Sequence, residues 1–173
     1  RQSRTNYDRY LSSWDAAIQR LFDFLTTSGL VDKSVIIFTS DHGELFEQGE
    51  LGHLTPLMTA PVVHVPLVVS LPGQRKQKNI HAPTSSVDLL PTIASLLDAP
   101  SPVWTDGQML PGLGGREDAN RSIYSFDAKL SSSFQKPQQL SIALVKDGHR
   151  LLYYQYPGFT RYELYNLSED PYE

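Results

Sequence analysis

The sequence predicts an α/β domain followed by a smaller antiparallel β subdomain. Three observations carry that prediction. An amphipathic helical pattern runs through a Ser-Gly-Leu turn into a short β-branched run ending at Thr39; helix, turn and apolar strand are half of a βαβ unit. A second apolar run, His64 to Ser70, is followed by another helical pattern from Ser86 to Leu97. Beyond residue 120 the pattern becomes short strands divided by turn residues.

The first helix rests on Tyr7, Leu11, Trp14, Ile18, Leu21 and Leu25, which recur at steps of four and three and share one face. Asn6 is the expected N-cap and Gly29 the expected C′ residue. Ser34-Val-Ile-Ile-Phe-Thr39 reads as a strand buried on both faces, as in a parallel sheet. A loop from Ser40 to about Val63 carries Gly43, Gly49, Gly52, Pro56 and Pro61 as breakers. About 20 residues of loop inside a compact domain is unusual and often functional. The second strand has Pro66 near its start, where a missing N–H costs least, and Pro72-Gly73 ends it. Ser86 is the expected N-cap of the second helix, with Asp88 in its first turn. Asp98 to Asn120, rich in Gly and Pro, reads as a linker or surface excursion. Ser122–Phe126, Leu140–Val145, Leu151–Gln155 and Glu163–Leu167 read as strands, and Lys146-Asp147-Gly148 as a hairpin turn. The expected division is therefore 1–100, a connecting stretch 101–120, and a β subdomain 121–173.

Composition bounds the function. The 173 residues are 40% apolar and 20% charged with a net charge of −4, a folded composition without the basic stripe of a nucleic-acid binder. With no cysteine there is no disulfide, thiolate metal site or cysteine nucleophile. No apolar run approaches the length that spans a bilayer. The polar start, Arg1-Gln2-Ser3-Arg4, carries no signal-peptide pattern and reads as the interior of a longer protein.

Chemistry concentrates in Thr39-Ser-Asp-His-Gly-Glu44. The C-terminal end of a buried strand is where open α/β sheets place their sites. Adjacent strand residues point to opposite faces, so Asp41 and His42 converge only if the backbone turns, which Gly43 permits. A carboxylate oxygen with a neutral imidazole nitrogen suits several divalent metals.

The ordered set of motifs resembles the sulfatase family of the alkaline phosphatase superfamily. Carrying the resemblance are Tyr7 and Asp15, Ser28-Gly29-Leu30, Thr39 to Glu44, Gly52-His53, Val65-Pro66-Leu67 and Pro72-Gly73. Val87-Asp88-Leu89-Leu90-Pro91-Thr92 and Glu163-Leu-Tyr-Asn-Leu-Ser-Glu-Asp-Pro171 complete the series. The resemblance implies an alkaline-phosphatase-like partial sheet with flanking helices, and metal-dependent hydrolysis of sulfuric esters. It implies that Asp41 and His42 hold a divalent ion, Ca2+ first, with Mn2+ or Zn2+ as alternatives. It implies that His53 acts on the ester and that Glu44 orients His42 from behind. The family's Cys/Ser-x-Pro-x-Arg motif, whose first residue becomes the formylglycine nucleophile, is absent; Ser70-Leu-Pro-Gly-Gln-Arg75 sets its Arg one place too far.

The expectation is thus the C-terminal portion of a sulfatase, inactive alone and completed by an N-terminal half. The parent would be exported or periplasmic and would take an anionic sulfate-ester or phosphate-ester substrate. Phosphoester or phosphonate hydrolysis, or phosphoethanolamine-type transfer, is the alternative within the superfamily. A non-catalytic remnant module is the alternative outside it. The remaining features point to structure. His64 reads as a packed or hydrogen-bonded core-edge residue, His81 and His149 as surface, and the cluster from Tyr153 to Tyr165 as packing. Arg75, Lys76 and Lys78 read as solvated charge, with attraction of an anionic substrate as the alternative.

Overall fold

The computed structural model describes residues 2–46, 52–53, 56–129, 137–171 and 173. Gly49, one of the expected breakers, lies outside them. Two compact units divide the chain: Arg1–Thr55 with His64–Lys78, and Pro56–Val63 with Asn79–Glu173.

In the first unit, α1 spans Gln2–Thr27. It starts ahead of the expected cap at Asn6, because neither Gly nor Pro interrupts the preceding residues. Its end is as expected. Gly29 takes φ +67, its N–H donates to the Thr26 carbonyl, and the Leu30 N–H donates to the Leu25 carbonyl. These two bonds form a Schellman motif, which needs the left-handed conformation that glycine adopts freely. On the apolar face only Ile18 and Leu25 are half-buried; Tyr7, Leu11, Trp14 and Leu21 stay exposed.

Strand β1 (Ile36–Thr39) pairs with β2 (Leu67–Ser70), Ile36 opposite Ser70 and Thr39 opposite Leu67. The pairing is antiparallel, which corrects the parallel expectation. Nor are the strands buried on both faces: Phe38 and Val68, directly opposite each other, are both exposed. A continuous β-branched run specifies a strand but carries no information on the direction of its partner.

The second unit is built on a four-stranded antiparallel meander in the order β3-β4-β5-β6. The strands are β3 (Ile123–Lys129), β4 (Gln139–Lys146), β5 (His149–Tyr156) and β6 (Phe159–Asn166). Asp147 and Gly148 both have positive φ, 48 and 71. That is the two-residue turn whose twist matches the flanking strands. Pro157-Gly158 closes the next hairpin, with Gly158 at φ +89. Strand β6 begins four residues before the expected Glu163. Its first half is exposed throughout, so no alternation of buried residues marks it.

One sheet face packs the core of Met58, Ala143, Leu152 and Tyr154, with Leu57, Val63, Tyr156 and Tyr165 against it. Part of the expected loop, including the helical turn α2 (Ala60–Val63), thus forms the lid of this core. Glu173 fastens it, accepting the Ala60 N–H at 2.9 Å and pairing with the buried Arg150 at 2.6 Å. The opposite face carries Tyr124, Phe126, Tyr162 and Leu164, all exposed. Within the aromatic cluster, Tyr153 packs on Tyr162 at 5.1 Å and Tyr156 on Phe159 at 4.8 Å.

Helix α3 (Leu89–Leu96) follows a 3-10 turn, Ser86–Asp88. The Gly- and Pro-rich stretch after it is anchored rather than loose. Gln108 donates its N–H to Asp88 at 3.0 Å, Leu110 donates its N–H to Thr92 Oγ1 at 2.8 Å, and Leu110 is buried. Gly107 lies so close to the turn that a Cβ would sit 2.0 Å from the Val87 carbonyl oxygen. Gly107→Ala should therefore cost about 1–3 kcal/mol through forced backbone movement. The check is a lower urea midpoint at unchanged m-value. Among the described residues no helix is long and apolar enough to cross a membrane.

Candidate active site

At the end of β1 the chain leaves the strand through Ser40, whose hydroxyl donates to the His42 carbonyl at 2.6 Å. Asp41 Oδ1 accepts the His42 N–H at 3.0 Å. The turn folds the carboxylate back, so Asp41 Oδ2 lies 3.7 Å from His42 Nε2. A regular strand would have sent these two side chains to opposite faces. His42 Nδ1 lies 2.9 Å from the Gly43 carbonyl, which can only accept, so Nδ1 carries the proton. In the neutral ring Nε2 is then the nitrogen with the lone pair, and it lies beside the carboxylate, as a ligating imidazole requires. The Asp41 side chain is 87% exposed. Its carboxyl is nevertheless held below the usual carboxylate range, first by the His42 backbone N–H and then by its own backbone N–H.

Leu45 and Gly52 form an isolated antiparallel bridge: Gly52 donates its N–H to Leu45 at 2.8 Å, and Leu45 donates in return at 3.3 Å. Leu45 is fully buried and anchors the bridge. Gly52 has φ +98, and a Cβ there would sit 3.5 Å from Glu44 Oε1. The bridge sets residues 44 and 53 side by side. His53 Nδ1 lies 2.9 Å from Glu44 Oε2. The His53 ring stacks on that of His42, with centroids 4.1 Å apart and planes inclined by 30°.

Asp41, His42, Glu44 and His53 thus gather in one unit of the chain. The pairing within the group differs from expectation. Glu44 was expected behind His42, but its carboxylate goes to His53, and the neighbouring Gly43 carbonyl takes the place behind His42. Sequence reasoning passed over Ser40 and Gly52 as site-shaping residues, although both stand in motifs it singled out. His64, His81 and His149 are all exposed, which removes the packed alternative for His64. Arg75 pairs with Asp32 at 2.7 Å on the surface.

The donor chemistry fits a divalent ion in part. Asp41 supplies a charged oxygen and His42 a free ring nitrogen. Among the described residues no group of three or more His, Asp or Glu side chains gathers to hold an ion. Two donors are fewer than Ca2+, Mn2+ or Zn2+ takes, so these residues suit a share of a site.

The sulfatase family model matches residues 1–99. The choline-sulfatase of Rhizobium meliloti (strain 1021) is 28% identical over 178 residues, covering 100% of this chain and 32% of the relative. The multifunctional alkaline phosphatase superfamily protein PehA of Trinickia caryophylli is 30% identical over 192 residues, covering 100% of this chain and 36% of its own. Among solved structures, the phosphonate monoester hydrolase SpPMH from Silicibacter pomeroyi superposes with a TM-score of 0.73 at 25% identity, over 91% of this chain and 35% of that one. The chain spans about a third of the length of these relatives.

Proposed function

The chain belongs to the sulfatase family of the alkaline phosphatase superfamily, and from that premise we propose that it is one part of a metal-dependent sulfuric ester hydrolase. The observation that supports this reading is the turn after β1, where Asp41 Oδ2 and His42 Nε2 lie 3.7 Å apart. These two atoms would hold a divalent ion, Ca2+ first and Mn2+ or Zn2+ as alternatives, together with donors from outside the 173 residues. When bound, the ion supplies Lewis-acid charge for sulfate oxygens. The nucleophile belongs to that outside part as well, and the reading includes export from the cytoplasm.

His53 is the group that meets the ester. With Nδ1 on Glu44, its Nε2 donates to the oxygen that leaves. In the full-length protein, His53→Ala should lower kcat on the order of 10²-fold with little change in KM, the pattern of a contact made in the transition state. An unchanged kcat returns His53 to the role of a surface-loop residue.

A second reading, phosphonate or phosphate monoester hydrolysis, is favoured by the likeness to the phosphonate monoester hydrolase SpPMH. The deciding assay compares sulfate and phosphonate monoesters of one leaving group on the full-length protein, with the 173-residue chain alone as the inactive control. A higher kcat/KM on the phosphonate favours the second reading. Turnover by the chain alone overturns the partial-site reading.

A further inference from the structure

Glu44 and His53 meet at 2.9 Å across the Leu45–Gly52 bridge. We propose that Glu44 is the positioning residue of His53, holding the Nδ1 proton so that Nε2 is always the nitrogen presented to the ester. The inference rests on the reading of His53 given above and adds to it the group that fixes the ring.

Three constraints converge on that ring. Its face is set by the stack on His42 at 4.1 Å. Its edge is set by a carboxylate that can only accept, which selects Nδ1–H in both the neutral and the protonated imidazole. Glu44 is itself held: its side chain is 24% exposed against 40% for His53, and the adjoining Leu45 is fully buried. Gly52 lies directly beside the carboxylate, and its φ of +98 is a backbone conformation that glycine adopts freely. Without Glu44 the imidazole can turn about its χ2 bond and present either nitrogen.

The consequence for the reaction is specific. As an oxygen nucleophile from the part of the protein outside this chain bonds to sulfur and the S–O bond to the leaving group breaks, the electron pair of that bond passes to the leaving oxygen. That oxygen takes the proton from Nε2 of the protonated ring, and a neutral imidazole remains with Nδ1–H still on Glu44. An ester whose leaving oxygen is a poor anion depends on this proton; a nitrophenyl ester hardly does.

The experiment uses the full-length protein on an alkyl sulfate ester and on 4-nitrophenyl sulfate. Glu44→Ala should lower kcat on the alkyl ester about 10–100-fold, the usual effect of losing an orienting partner, at nearly unchanged KM. On 4-nitrophenyl sulfate it should lose much less. Glu44→Gln, which can accept from Nδ1–H but no longer forces it, should fall between and serves if the alanine variant does not fold. Glu44→Ala combined with His53→Ala should be no slower than His53→Ala alone. If His53→Ala shows the leaving-group dependence while both Glu44 variants lose equally on the two esters, or if the losses multiply, the positioning role is overturned and the reading of His53 stands. If His53→Ala shows no such dependence, that reading falls and the positioning role falls with it.

Discussion

Asp88→Ala should destabilise the protein by about 3–5 kcal/mol, the range seen when one partner of a buried ion pair is removed. Asp88 is fully buried. Its two oxygens take the Arg121 guanidinium at 2.5 and 2.7 Å, the Ser85 N–H at 2.9 Å and the Gln108 N–H at 3.0 Å. One carboxylate thus joins the turn before α3, the stretch after it and the approach to β3. Alanine leaves Arg121, whose side chain is only 15% exposed, without its counter-charge, and two backbone donors without an acceptor. Urea unfolding of Asp88→Ala tests this; a loss below about 1 kcal/mol means that water replaces the carboxylate at low cost. Replacing both partners with apolar residues, Asp88→Leu with Arg121→Met, should recover part of the loss, because no charge is then stranded.

The same pair sets an acid limit. Burial alone would raise the Asp88 carboxyl, but the Arg121 guanidinium and the Gln108 and Ser85 N–H groups outweigh it and hold it below the usual range. A depressed folded pKa means that the stabilisation is complete above the unfolded value of about 3.9 and is lost as pH falls from there through the folded value. Asp88→Asn should remove this part of the acid dependence.

What the sequence made legible follows from the range of each signal. Periodicity located α1, and Gly29 located its end, because both signals are local. The exposure of the α1 face was not legible, since periodicity puts Tyr7, Leu11 and Trp14 on one face without saying whether anything covers it, and they stay exposed. The direction of the β1–β2 pair was hidden because a β-branched run is the same string in either orientation. At the site, Asp41 and His42 could be read from a strand end followed by glycine. The partner of Glu44 could not, for it depends on the Leu45–Gly52 bridge, a pairing formed across a glycine-rich loop. Asp88 read as a helix-terminus residue, and it does accept the Ser85 N–H. Its larger role needs Arg121, 33 residues away, which no local pattern announces.

Asp41→Ala should lower turnover of a sulfate ester by the full-length protein on the order of 10³-fold. Lewis-acid stabilisation contributes several kcal/mol, and each 1.36 kcal/mol is tenfold in rate. The substitution removes the one charged donor of the pair and also the oxygen that accepts the His42 N–H and shapes the turn. Asp41→Asn separates the two effects, because its amide oxygen can still accept that N–H while the charge is gone. If charge is what matters, Asn should be nearly as slow as Ala; if turn geometry matters, Asn should be close to wild type. The Asp41 carboxyl is held low, so it stays ionised through the weakly acidic range, and a loss of activity there belongs to another group. Chelation gives the independent reading. A chelator should bring the wild type down to the level of Asp41→Ala, and added Ca2+, Mn2+ or Zn2+ should restore the wild type and leave the variant slow. A wild type indifferent to chelation, or an alanine variant within about tenfold of it, a difference of only 1.4 kcal/mol, overturns the proposed metal role of Asp41.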